Sequence, residues 1–275
     1  MRSPIELREL KAWVRQRLFD RGAQAAVEGI ARAARWWLDA ANNVDNDPQR
    51  NGEYWLIESC GELQTFADVG FNRGDWSRFV LATHPAARVW AFDPDSGAAK
   101  AAADFGDARM QFFPIALAAT SGEAEFVSFG ECNPSNSLAQ AHHDHPADER
   151  RQVRSVRVRT LDEWASEHAP TGIDFLKVDA EGHDFAVLQG AAGLFARKQI
   201  GLVMFEYGYR WLDAGHLLVE ADQFLREHGY RLFRLFPGFI APYRWQVRHE
   251  NVLAGQFVAL RPDLIARFAT RERAL

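Results

Sequence analysis

Residues 66–76, FADVGFNRGDW, place a short β-rich run directly before Gly70 and Gly74, with a helical pattern opening after them. The run is too short and too apolar to be a surface helix. Glycine at its end permits positive φ and close approach of a ligand to the backbone, and the next helix offers free N–H groups. A GxxxG turn alone also fits simple helix–strand packing, so the following strand matters. Residues 88–95, RVWAFDPD, bring Asp93 to a position 23 residues after Gly70. That is close to the spacing at which an acidic residue accepts the hydroxyls of a ribose. Position 72 is Asn, so the turn is not the GxGxxG dinucleotide fingerprint and leaves less room for a pyrophosphate. Asp68 is awkward beside a pyrophosphate but can pair with a methionyl ammonium. The pattern favours S-adenosylmethionine over a nicotinamide dinucleotide.

Working outward, MQFF (110–113), IDFLKV (173–178) and GLVMFE (201–206) repeat the buried-strand pattern. DWSRFVLATH, DSGAAKAAADF, DFAVLQGAAGLF and HLLVEADQFLREHG supply crossover helices, which predicts an α/β, doubly wound parallel sheet. RLFRLF and NVLAGQFVAL, separated by Pro237-Gly238, predict an antiparallel pair at one edge. The strand in IDFLKVDAEGHD delivers Lys177, Asp179, Glu181 and His183 to its carboxyl end, where open α/β sheets bind ligands. Two carboxylates and an imidazole can orient a hydroxyl, act as general base or hold a divalent metal. Helix capping by Asp179 and Glu181, and a solvent-facing His183, are the structural alternatives. Lys177 reads as an ion-pair partner rather than a nucleophile.

The chain has 275 residues, 47% of them hydrophobic, which suits one large α/β domain with an appendage and a single active site. A formal charge of −5 lacks the positive field of a general nucleic-acid binder. Cys60 and Cys132 form no CxxC pair, so neither a disulfide framework nor a cysteine zinc site is indicated. The opening MRSPIELRELKAW is too charged for a secretory signal, and no apolar run approaches the ~20 residues of a transmembrane span. A cytoplasmic location is expected.

Residues 1–50 read as a helical appendage. Ser3-Pro4-Ile5-Glu6 resembles a capping box before Leu7, Leu10, Val14 and Leu18, and Gly22 is expected to end that helix. Val27, Ile30, Ala34, Trp37, Leu38 and Ala41 mark a second helix before the turn-forming NNVDNDPQRNGE. Its apolar face is expected to pack on the main domain or to join two copies in a homodimer. Residues 130–152, polar and aperiodic, predict a loop covering the ligand site.

In order, NGEYWLI, DVGFNRGDW, FDPD, PIALAATSGEAEF, VRTLDEW, IDFLKVDAEGHDFAVLQGA and FEYG resemble the FkbM-type S-adenosylmethionine-dependent methyltransferases, over roughly residues 51–260. The resemblance implies a methyltransferase domain over 51–275 with a class I (Rossmann-like) sheet of seven strands, the last antiparallel. It implies that Asp68, Gly70 and Gly74 bind the methionyl part, Asp93 the ribose, and Ala116-Leu117 the adenine region. Asn72, Pro94 and Asp179 complete the expected cofactor contacts, and the product would be S-adenosylhomocysteine. Phe71, Arg73 and the His183-Asp184 pair depart from the residues usual in the family.

Family members commonly methylate hydroxyls of sugars, glycoconjugates or glycosylated natural products, so a small-molecule or carbohydrate acceptor is expected. Asp179 is the first choice of base, with Glu181 and His183 beside it. Tyr207, Tyr209, Trp211, Tyr243 and Trp245 are candidates to stack on a sugar face. His142 and His143 are candidate acceptor contacts from the loop. A metal held by His142, His145 and Asp179 is the lesser alternative, since neighbouring loop residues rarely converge on one ion. The rival readings are N- or carboxyl-methylation and a non-catalytic adenosine-binding module. A nicotinamide-dependent sugar oxidoreductase is remote without GxGxxG or a Tyr-x-x-x-Lys pair.

Overall fold

The computed structural model describes residues 21–138, 150–168, 171–247 and 254–271. The chain divides into two compact units, one ending at Asn42 and one running Asn43–Leu275. In the first unit the described residues form a single helix, Arg21–Ala41. Gly22 lies in the first turn of this helix, and the helix expected over residues 3–18 falls outside the described residues. Trp36 and Trp37 meet edge to face at 5.1 Å. His142, His143 and His145 fall outside the described residues.

In the second unit, the apolar runs found in the sequence become β1 (Thr65–Val69), β2 (Arg88–Phe92) and β3 (Met110–Phe113), then β7 (Ile173–Val178) and β8 (Ile200–Tyr207). All five run parallel, in the order β3-β2-β1-β7-β8. Their side chains are largely buried because helices cover both faces of the sheet. Helices Asp75–Thr83, Ser96–Ala103 and Leu218–Glu227 occupy the stretches expected to cross over. DFAVLQGAAGLF breaks into Asp184–Gln189 and Ala192–Ala196. At the break, a Cβ on Gly190 would stand 2.1 Å from the Ala118 carbonyl oxygen, so only glycine fits there.

The antiparallel pair is present as β9 (Arg231–Phe236) and β11 (Gly255–Leu260), with β11 inserted between β8 and β9. The seven strands implied by the resemblance become eight. The Pro237-Gly238 turn folds β10 (Phe239–Pro242) back on β9 as the edge strand. Sequence reading also passed over a second sheet, β4 (Ala116–Leu117), β6 (Gln152–Arg159) and β5 (Gly122–Ser128). β4 is only two residues long, and β5 and β6 mix polar, charged and apolar residues and are exposed over much of their length, so none carries a long apolar run.

The larger core cluster centres on Trp164, whose indole packs edge-on against Phe92 at 4.8 Å and Phe113 at 5.2 Å and lies parallel to His168. No helix among the described residues is long and apolar enough to cross a membrane. Trp164 is fully buried. Trp164→Ala is therefore expected to lower the unfolding free energy by about 3–5 kcal/mol in urea titration.

Candidate active site

β1, β2 and β7 end side by side, and the turns that leave them border a cleft. Lys177 and Asp68 are direct register partners across β1 and β7, and their side chains meet at 3.1 Å just below it. Ser77 Oγ donates to the other Asp68 oxygen at 2.6 Å. Lys177 also donates to the Gly70 carbonyl at 3.2 Å and stands 3.4 Å from Asp179. Burial alone would lower the ammonium pKa, but Asp68, Asp179 and Glu53 together hold it above the usual lysine range. The ion-pair reading of Lys177 fits this geometry. The Asp68 carboxylate, expected at a methionyl ammonium, is fully buried against Lys177 and Ser77 and does not line the cleft.

The glycine turn divides in the same way. Gly70, at φ 84°, borders the cleft, and a Cβ there would stand 1.9 Å from the Asp179 carbonyl oxygen. Gly74, at φ 79°, is not part of the cleft wall. A Cβ on it would meet the Phe71 ring at 2.4 Å, so Gly74 serves packing of the buried Phe71. Asn72 lies on the wall, and its backbone N–H donates to Asp93 Oδ2 at 2.8 Å.

Asp93 borders the cleft with its neighbour Pro94, and its Oδ1 accepts the Asp95 N–H at 2.8 Å. Burial pushes its carboxyl up to about 6, against these two backbone N–H bonds. Ala116 and Leu117 line the same cleft with Ile115, Phe126 and Leu138, which makes one end of it apolar. Asn133, Pro134, Asn136 and Ser137, from the segment after β5, line it as well. Asn136 pins that segment by donating to Asp95 and accepting the Phe129 N–H. This contribution was not read from NPSNS, because nothing in a polar loop sequence states where its side chains land.

Asp179, Glu181 and His183 all border the cleft. The Asp179 side chain is 41% exposed. Glu181 sits at φ 52° and binds Arg210 Nε through Oε2 at 2.9 Å. Burial and the charge of Asp179 raise its carboxyl well above the usual range, with Arg210 opposing. Among the described residues His183 Nδ1 is buried with no hydrogen-bond partner, and burial, with the nearby His216, lowers the imidazole to about 4. Asp184 holds the turn by accepting the N–H groups of Ala180 and Gly182.

Of the aromatic candidates, Tyr207 and Trp211 are each 1% exposed and Tyr243 is 3% exposed, so all three belong to the core and cannot present a stacking face. Trp245 is partly buried and packs on the same core cluster. Tyr209 is exposed, with the Arg210 guanidinium 5.7 Å from its ring centre. Glu206, at the end of β8, was missed. Burial, then Asp179, Glu181 and Glu53, push its carboxyl up to about 8, with Arg210 opposing. Among the described residues no group of His, Cys, Asp and Glu is arranged to hold a metal ion.

The sheet order and the cleft at the ends of β1, β2 and β7 are those of an open, mostly parallel α/β fold. The chain belongs to the FkbM methyltransferase domain family, which matches residues 68–232, and it is a methyltransferase. The 2-O-methyltransferase NoeI of Sinorhizobium fredii is 27% identical over 171 residues, covering 56% of this chain and 67% of that protein. The structure of methyltransferase FkbM from Methylobacillus flagellatus aligns with a TM-score of 0.44 at 13% identity, over 72% of this chain and 44% of that one. An O-methyltransferase family protein from Burkholderia thailandensis aligns with a TM-score of 0.37 at 14% identity, over 94% and 70%. The family assignment rests on the sequence match and not on these distant structural likenesses.

Glu206 has a folded-state pKa raised above its unfolded value of 4.5. The stability linked to its neutral form is full below 4.5 and is lost as pH rises through about 8. Glu206→Gln is expected to flatten the fall in melting temperature between pH 6 and pH 9, measured by differential scanning calorimetry.

Proposed function

We propose that this methyltransferase moves the methyl group of S-adenosylmethionine to a hydroxyl oxygen of a sugar, a glycoconjugate or a hydroxylated natural product. The observation that carries the reading is that one cleft joins Asp93, buried at the end of β2, to the half-exposed Asp179 after β7. Each Asp93 oxygen already accepts one backbone N–H and keeps a second lone pair, which suits the two hydroxyls of a ribose. The apolar wall of Ile115, Leu117, Phe126 and Leu138 suits a flat base. These residues fit the adenosine part of the cofactor, and Gly70 leaves the backbone open beside it.

When bound, the cofactor supplies an electrophilic methyl on a sulfonium sulfur. Asp179 would accept the acceptor's hydroxyl proton as that oxygen takes the methyl carbon and the methyl–sulfur bond breaks, with S-adenosylhomocysteine as the leaving group. Lys177 fixes its carboxylate from below, so the base needs no reorientation. Glu181 adds carboxyl oxygens to the same wall, which suits an acceptor rich in hydroxyl donors. The similarity to a 2-O-methyltransferase supports oxygen over nitrogen as the acceptor atom.

S-adenosylhomocysteine is expected to bind in calorimetric titration while NADH does not, and Asp93→Ala is expected to weaken that binding by about tenfold or more. Since Asp93 titrates at about 6, wild-type affinity is expected to fall as pH drops through 6, and the Asp93→Ala variant to lose this dependence. Binding of NADH in preference would overturn the reading. With a panel of glycosides as acceptors, Asp179→Asn is expected to lower kcat by about 10²–10⁴-fold and leave residual turnover from positioning. Methylation confined to amines or carboxylates would favour the N- or carboxyl-transfer alternative, and S-adenosylhomocysteine binding without turnover the adenosine-binding module.

A further inference from the structure

We propose that Arg210 is a positioning residue that ties the segment 130–138, which lines the cleft, to the Glu181 turn that carries the candidate acid–base groups. The proposal rests on the reading of this cleft as the site of methyl transfer. Arg210 lies in the helix Tyr209–Asp213, after β8, and its side chain is 16% exposed. Nε stands 2.9 Å from Glu181 Oε2, and Nη2 donates to Ser135 Oγ at 3.1 Å. One planar guanidinium therefore joins three segments that are distant in sequence. A lysine cannot reproduce this, because its ammonium is a single point and not a fork.

Two further contacts bring the same pieces together. Ser137 Oγ donates to the Glu181 carbonyl at 2.9 Å. Gly182 packs so closely on the Arg210 backbone that a Cβ would stand 2.7 Å from the Arg210 carbonyl oxygen. Glu181 keeps φ at 52°, a region a non-glycine residue occupies only when its surroundings hold it there. Arg210 Nη1 is buried with no hydrogen-bond partner among the described residues. A buried guanidinium with an unmatched donor is a poor device for stability alone. Its value lies in where it holds Glu181 and Ser135, and through Ser135 the Asn133–Leu138 wall of the cleft.

The test uses the full chain with Arg210→Met, Arg210→Lys, Ser135→Ala and the Arg210→Met/Ser135→Ala double variant. Hydrogen exchange is followed over 130–138 in the ligand-free protein, and S-adenosylhomocysteine is titrated by calorimetry. Arg210→Met is expected to speed exchange in this segment by about tenfold and to weaken S-adenosylhomocysteine to a similar degree, with core strands unchanged. Arg210→Lys should recover neither. The double variant should be no worse than Arg210→Met, because Ser135 acts through the same tie. Wild-type exchange over 130–138 in Arg210→Met, full rescue by lysine, or additive losses in the double variant would each overturn the proposal. If Arg210→Met fails to fold, Ser135→Ala alone decides by the same exchange reading. Failure of the wild-type protein to bind S-adenosylhomocysteine would instead overturn the donor assignment, and the ligand-free exchange data would still judge the tie.

Discussion

The buried pair of Lys177 and Asp68 is the constraint around which the rest of the site is arranged. It joins β1 and β7 at one register position, directly under the turns that leave both strands. Burying two charges costs several kcal/mol per ion, so the pair adds little net stability against an apolar alternative. What it contributes is position. The same ammonium reaches the Gly70 carbonyl and Asp179, so the glycine turn and the candidate base hang from one buried nitrogen. Removing either partner would leave a lone charge in the core, which is why the arrangement behaves as a unit.

Above this pair the carboxylates outnumber the cations. Asp179, Glu181 and Glu206 share the region with Lys177 and Arg210, and burial holds Glu181 and Glu206 toward the neutral form. The cleft wall thereby combines a half-exposed Asp179 with Glu181, which pairs with Arg210, and His183, whose imidazole burial holds below its usual range. Such a set can accept and donate hydrogen bonds to neutral hydroxyl groups without a strong net field. Elsewhere on the wall, Asp93 is held by backbone N–H groups of Asn72 and Asp95, so a local hydrogen-bond pattern orients this acid without a cation.

The glycines illustrate how one motif serves two purposes. Gly70 and Gly74 have nearly the same backbone conformation, yet Gly70 opens the cleft wall and Gly74 makes room for Phe71. A bulky Phe71 where smaller residues are usual in the family is accommodated by Phe105 and Phe112, which pack against its ring. Asp184 similarly acts within the turn by accepting two backbone N–H groups, leaving His183 to face the cleft.

The sequence by itself determined the five parallel strands, because buried strands need continuous apolar runs that local composition displays, and it determined which strand ends carry Asp93, Asp179, Glu181 and His183. It also contained the Lys177 pairing as an expectation, since a lysine in a buried strand needs a partner. Only the tertiary structure decided that Asp68 is that partner, that Tyr207 and Trp211 are core, and that Arg210 reaches the Glu181 carboxylate. The small second sheet was likewise invisible because its exposed strands mix charged and apolar residues as loops do, and the eighth strand because FIAP is only four residues long and ends in proline. The division has one physical reason: burial periodicity is written along the chain, whereas the direction of a side chain and the identity of its partner depend on segments brought together across the fold.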